Sequence, residues 1–161
     1  MPSLLRTDKE IVEIYNRHVD TVYRICYSYM KNKAETEDMV QETFIRLITS
    51  GQRFESARHE KAWLIVTASN LCKDSLKKWW RKCEDIDTCV HLSGEDMMGD
   101  NAVLSAILEL PEDYKTAVYM YYYEGYSTAD IAGYLRCPQA TVRSRLSRAR
   151  KALKKKLGGD F

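Results

Sequence analysis

Nine basic residues and no acidic one lie between Ile131 and Gly159. Arg143, Arg145, Arg148 and Arg150 recur there at steps of two and three, with Thr141 and Ser144 among them. Guanidiniums fork onto phosphate or guanine, and hydroxyls reach bases or phosphates, so this is the chemistry of polyanion binding. A second block, Lys73 to Lys82, holds five basic residues and one acid. Between the two blocks, Glu84 to Asp100 carries six acids and no Lys or Arg. The net charge of +2 therefore conceals two basic surfaces separated by an acidic stretch. Solvated faces without partners would give the same totals, so charge alone does not decide.

Covalent chemistry is not expected. The chain has no nucleophile–base pairing, phosphate-binding glycine loop or metal motif, which predicts no cofactor and no small-molecule substrate. Five cysteines stand at 26, 72, 83, 89 and 137 without paired spacing, as free thiols do in a reducing compartment. Cys83, Cys89 and His91 form the one cluster that could hold a metal, but the spacing fits no common zinc pattern and a fourth ligand is lacking. The opening residues MPSLLRTDKEIVEIY place acids and a tyrosine where a signal peptide needs an apolar core. No apolar run approaches the ~18 residues of a membrane span. A cytoplasmic protein is expected.

The elements that must position the basic residues read as helices throughout. Ile11, Ile14, Tyr15, Val22, Ile25 and Tyr29 recur at three- and four-residue steps, the stripe of one long helix, with a break at Asn32 and Lys33. A second helix is predicted from Ala34 to Thr49, stopped at Ser50 and Gly51. Residues 51–59 form a polar loop, and a third helix from Glu60 to Lys82 turns Trp63, Leu64, Ala68, Leu71 and Leu76 inward. Periodicity is lost over residues 84–101, a flexible acidic linker. Beyond it come a helix from Ala102 to Leu110 and another that Pro111 opens and Gly125 stops, carrying Tyr114, Ala117, Val118 and Tyr121 at helical spacing. Ser127 caps a short helix carrying Ile131, Ala132 and Leu135, and Pro138 opens the last helix, to about Lys156. The fold class is all-α: two helical domains, residues 1–83 and 102–161, joined by the linker.

The segment YSTADIAGYLRCPQATVRSRLSRARKAL has the layout of a helix-turn-helix. Val142, Leu146, Ala149 and Leu153 should pack inward, leaving Thr141, Ser144, Arg145 and Arg148 on the opposite face. Recognition helices present their amino-terminal residues to base edges in the major groove, which assigns Pro138, Gln139, Ala140 and Thr141 to sequence reading. Gln139 can pair with adenine. Arg143, Arg148, Arg150 and the Lys151–Lys156 tail suit phosphates. On the second helix Val40, Phe44, Leu47 and Ile48 share one face, and Asp38, Gln41, Glu42 and Ile45 the other. That mixed face suits a protein partner, though a plain solvated surface would read alike.

Three segments in order, EDMVQETFIRL, KAWLIVTASNLCKDSLKKWWRK and the run from LPEDYKTAV to the final basic helix, resemble the extracytoplasmic-function group of bacterial sigma factors over roughly residues 8–157. The resemblance implies a sigma-2-like domain of three to four helices and a sigma-4-like domain of four. It implies that Asp38, Gln41 and Glu42 dock on the β′ clamp of core RNA polymerase, that the second domain meets the β flap, and that an anti-sigma factor holds the chain inactive. It also implies that the loop 51–59 and the following helix melt and read the minus-ten element, through Phe54, His59, Lys61, Asn70, Lys73 and Lys77. The minus-thirty-five element falls to the recognition helix, through Pro138, Gln139, Ala140, Thr141, Arg143, Ser144, Arg145 and Arg148.

Departures from the family pattern are definite. Arg136 and Ala140 stand where the family usually has glycine, in the turn and in the recognition helix. Primary sigma factors carry an aromatic pair near the start of the third helix, whereas Trp79 and Trp80 lie near its end and are expected to pack on the linker. Two other readings compete. One is a stand-alone helix-turn-helix regulator, which would bind duplex operators tightly without polymerase. The other is a metal-dependent enzyme or sensor built on Cys83, Cys89 and His91, which would purify with stoichiometric metal.

Overall fold

The computed structural model describes residues 6–82, 106–107 and 109–158. The acidic linker, the Cys83–Cys89–His91 cluster and most of the helix expected from Ala102 lie outside the described residues. The chain divides into two compact units, Met1–Glu95 and Asp96–Phe161.

In the first unit Thr7 caps α1 (Asp8–Met30), its hydroxyl accepting from the Glu10 amide at 3.2 Å. Lys31 turns left-handed at φ 64° and Asn32 immediately caps α2 (Lys33–Ser50). The Asn32 side chain accepts from the Glu35 amide at 2.9 Å, capping the helix, and donates to the Glu35 carboxylate at 3.1 Å. With only two residues between them, α1 and α2 must run antiparallel.

Gly51 ends α2 at φ 66°, and α3 spans Ala57–Lys82. The loop is thus 51–56, shorter than the sequence predicts, because Ser56 accepts from the His59 amide at 3.1 Å and starts the helix three residues early. Each of the three helices packs on the other two.

Val22, Ile25, Leu47, Leu64, Ile65, Ala68 and Cys72 are fully buried between them. Burial of a Leu or Ile side chain contributes ~1.5–3 kcal/mol, so these positions hold the bundle. Tyr15, read from the stripe as inward, is instead exposed, with its ring 4.9 Å from Phe44. Thr36, Thr43 and Ser69 are buried but return their hydroxyls to their own helix, on Asn32, Met39 and Ile65 carbonyls.

In the second unit Pro111 precedes α4 (Glu112–Val118), which runs into a π turn over Tyr119–Tyr123. Glu124 N–H closes that turn on the Tyr119 carbonyl at 3.1 Å. The wider turn slips the helical phase. Tyr119 and Met120 are buried in consequence, and Tyr121, at helical spacing from Val118, is exposed along with Tyr122 and Tyr123.

Gly125 reverses the chain at φ 77°. Ser127 then caps α5 (Thr128–Leu135), accepting from the Asp130 amide at 3.0 Å. Arg136 ends α5 in the left-handed region, φ 55° and ψ 50°, and Pro138 precedes α6 (Gln139–Leu157). Val142, Leu146, Ala149 and Leu153 are buried, with α6 packed on α4 and α5. No helix among the described residues is long and apolar enough to cross a membrane.

Candidate nucleic-acid and partner interfaces

The face of α6 turned away from the core is built by helical phase. Burying Val142, Leu146, Ala149 and Leu153 brings Thr141, Ser144, Arg145 and Arg148 out together. With Ala140 and with Tyr114 from α4, they line an open hollow of about 470 Å³. Tyr114 is the residue that sequence reasoning missed here; only the packing of α4 on α6 brings it to this face. Pro138, Gln139 and Ala140 are exposed at the start of α6.

The Gln139 amide donates to Thr128 Oγ1 at 2.8 Å, tying the first residue of α6 to the first of α5. One N–H and the carbonyl oxygen of that amide remain for a base. Arg143 is exposed but sits about half a turn from Thr141, outside this hollow. It shares a flank with Arg150, whose Nε donates to the Tyr122 hydroxyl at 2.8 Å. At the far end Lys156 pairs with Glu109 at 3.0 Å.

In the first unit His59, Asn70, Lys73 and Lys77 fall on one stripe of α3, with Trp63 and Val66 between them. Lys61 lies on the opposite side, near enough to His18 to repel its charged form. Of the six residues expected at the minus-ten element, four thus share one stripe, Lys61 lies apart, and Phe54 stands in the preceding loop. Phe54 is half-buried, its ring 5.3 Å from the His59 ring and 5.7 Å from Trp63. Both rings therefore belong to one aromatic cluster at the junction of loop and helix. On α2, Asp38, Gln41, Glu42 and Ile45 form a continuous exposed stripe above buried Val40, Phe44 and Leu47.

Trp79 and Trp80 meet edge to face at 4.7 Å, and Trp80 is 62% exposed. Their expected packing on the linker lies outside the described residues.

Beneath these surfaces, His18 and Glu60 tie α1 to α3, with His18 Nε2 to Glu60 Oε1 at 2.7 Å and Arg17 on the same oxygen at 3.3 Å. Burial holds the His18 imidazole below its ordinary pKa, partly opposed by Glu60. Its Nδ1 is buried without a partner, so a proton there would find no acceptor. No group of three or more His, Cys, Asp or Glu among the described residues could hold a metal.

Comparison with known proteins places these surfaces in context. The sigma-70 region 2 family matches residues 14–82 and sigma-70 region 4 matches residues 100–153. The chain is 31% identical to the extracytoplasmic-function RNA polymerase sigma factor SigW of Bacillus subtilis, across 92% of this chain and 87% of that protein. It is likewise 31% identical to the sigma-E factor of Haemophilus influenzae, across 94% and 95%. In fold it is similar to the sigma factor RpoE of Bartonella quintana, solved in complex with the anti-sigma factor NepR. That match has a TM-score of 0.73 and 22% identity over 95% of this chain and 99% of that one. The two regions in their order and near-full-length identity to such relatives mean that the chain belongs to the extracytoplasmic-function RNA polymerase sigma factors, which direct promoter-specific transcription initiation.

Proposed function

We propose that the chain works by dividing its contacts among three surfaces, without covalent chemistry of its own. The Asp38, Gln41, Glu42 and Ile45 stripe of α2 docks on the β′ clamp of core RNA polymerase, and the second unit meets the β flap. The 51–56 loop, with Phe54, His59 and the Asn70, Lys73 and Lys77 stripe of α3, captures unstacked bases of the minus-ten element. Opening costs about 1–2 kcal/mol per base-pair step, which captured bases and polymerase contacts must offset. The hollow of α6 reads the minus-thirty-five element in the major groove. The observation that carries this reading is the open face of Thr141, Ser144, Arg145 and Arg148 over a buried apolar seam.

An anti-sigma protein is the regulatory partner, as NepR is for the Bartonella factor, and the site of action is the cytoplasm. Run-off transcription with purified core polymerase on a genomic DNA library tests the proposal. Discrete starts that need the chain and share two upstream motifs are expected. Tight duplex binding by the free chain, with no new starts, would favour a stand-alone regulator.

A further inference from the structure

Arg6 lies ahead of α1 and outside both family matches, yet it is buried, at 8% exposure. Burying a guanidinium is costly unless its donors find acceptors, and here both terminal nitrogens reach backbone carbonyls. Nη1 donates to the Leu47 carbonyl in the last turn of α2 at 3.4 Å, and Nη2 donates to the Gln52 carbonyl inside the loop. The same cation stands 5.2 Å from the Phe54 ring centroid, within cation–π range. One residue further along the loop from Gln52, Arg53 reaches Glu10 on α1 at 3.4 Å. The loop is therefore held from the amino-terminal side at Gln52, Arg53 and Phe54, while Gln52, Arg53, Glu55 and Ser56 stay open to solvent.

We infer that Arg6 is a positioning residue for base capture. It fixes the conformation of the 51–56 loop so that Phe54 and His59 present one preformed surface to the unstacked strand. A loop held in its binding conformation loses less entropy when the base arrives. The inference rests on the minus-ten reading of that loop. Within the first unit Arg6 bonds α2 at the buried Leu47 turn, away from the exposed Asp38, Gln41, Glu42 and Ile45 stripe, so its effect should fall on the loop.

The test uses the full chain with core polymerase and a fork-junction template carrying a single-stranded minus-ten segment. Arg6→Gln is expected to weaken capture of that strand about tenfold, the scale of a lost charge-assisted hydrogen bond. Affinity for core polymerase and duplex minus-thirty-five binding should stay unchanged. Arg6→Lys, which keeps the charge but not the two-carbonyl fork, should restore only part. Phe54→Ala should weaken capture similarly, and the double variant should be no worse than the single ones. A merely structural role would lower core binding and capture together, and would overturn the inference. So would Arg6→Gln capturing normally while Phe54→Ala and His59→Ala fail. If the Phe54 and His59 variants themselves capture normally, the minus-ten reading of the loop falls, and the inference with it.

Discussion

Replacing Arg136 by glycine should stabilise the helix-turn-helix. Arg136 closes α5 at φ 55° and ψ 50°, where its Cβ crowds the following carbonyl, and its N–H still donates to the Ala132 carbonyl. A left-handed conformation costs an ordinary L-residue ~1–2 kcal/mol. Glycine adopts it freely but gives up ~0.5–1 kcal/mol of extra chain entropy on folding. The net gain is therefore about 0.5–1 kcal/mol.

The chain divides into two units, so a single global melt would blend them. Native-state amide exchange of Ile131, Val142 and Leu146 reads the second unit alone. Exchange in Arg136→Gly should slow about two- to fivefold, matching that free energy. Arg136→Ala is the control, because alanine keeps the Cβ and should gain little. If alanine protects as well as glycine, or glycine not at all, strain at this turn is not what the family glycine relieves.

Other outcomes follow from the same geometry. Arg145→Ala, at the hollow and not assigned to phosphate, should weaken minus-thirty-five binding by about 1–3 kcal/mol and relax specificity at one base pair. Arg143→Ala, off that face, should instead reduce the salt dependence by about one charge, as seen in salt-titrated binding curves. Glu42→Lys should reduce competition for core polymerase while leaving duplex binding to the minus-thirty-five element intact, measured by holoenzyme competition and gel shift.

The His18 site predicts a pH dependence with a definite sign. Its folded pKa is depressed, so the unfolded chain takes up the proton first as pH falls below about 6.5. Stability of the first unit should therefore be full above that value and decline on acidification. Denaturant titrations of the wild type and His18→Gln at pH 7.5 and 5.5 check it, and the variant should show the flatter response.

The pattern of residues along the chain carried the helices and their inner faces. Val142, Leu146, Ala149 and Leu153 are legible because helical phase alone assigns them to one side, and burial there is a local consequence of period. The exposed stripe of Asp38, Gln41 and Glu42 was legible for the same reason. Periodicity fails where the backbone departs from the ideal helix. The π turn at Tyr119–Tyr123 shifts the phase and turns Tyr121 outward, and no local residue signal announces it.

Nor can spacing along one chain segment reveal a contact made across several. Arg6 is an unremarkable residue before a helix until its guanidinium meets Leu47 and Gln52, more than forty residues away. Tyr114 reads as one more helix aromatic until α4 packs beside α6. The sequence by itself determined the helices, the Ser127 cap and the basic blocks, because these depend on neighbours three and four residues apart. Which residues complete each surface was decided only by tertiary packing, because it depends on distance in space.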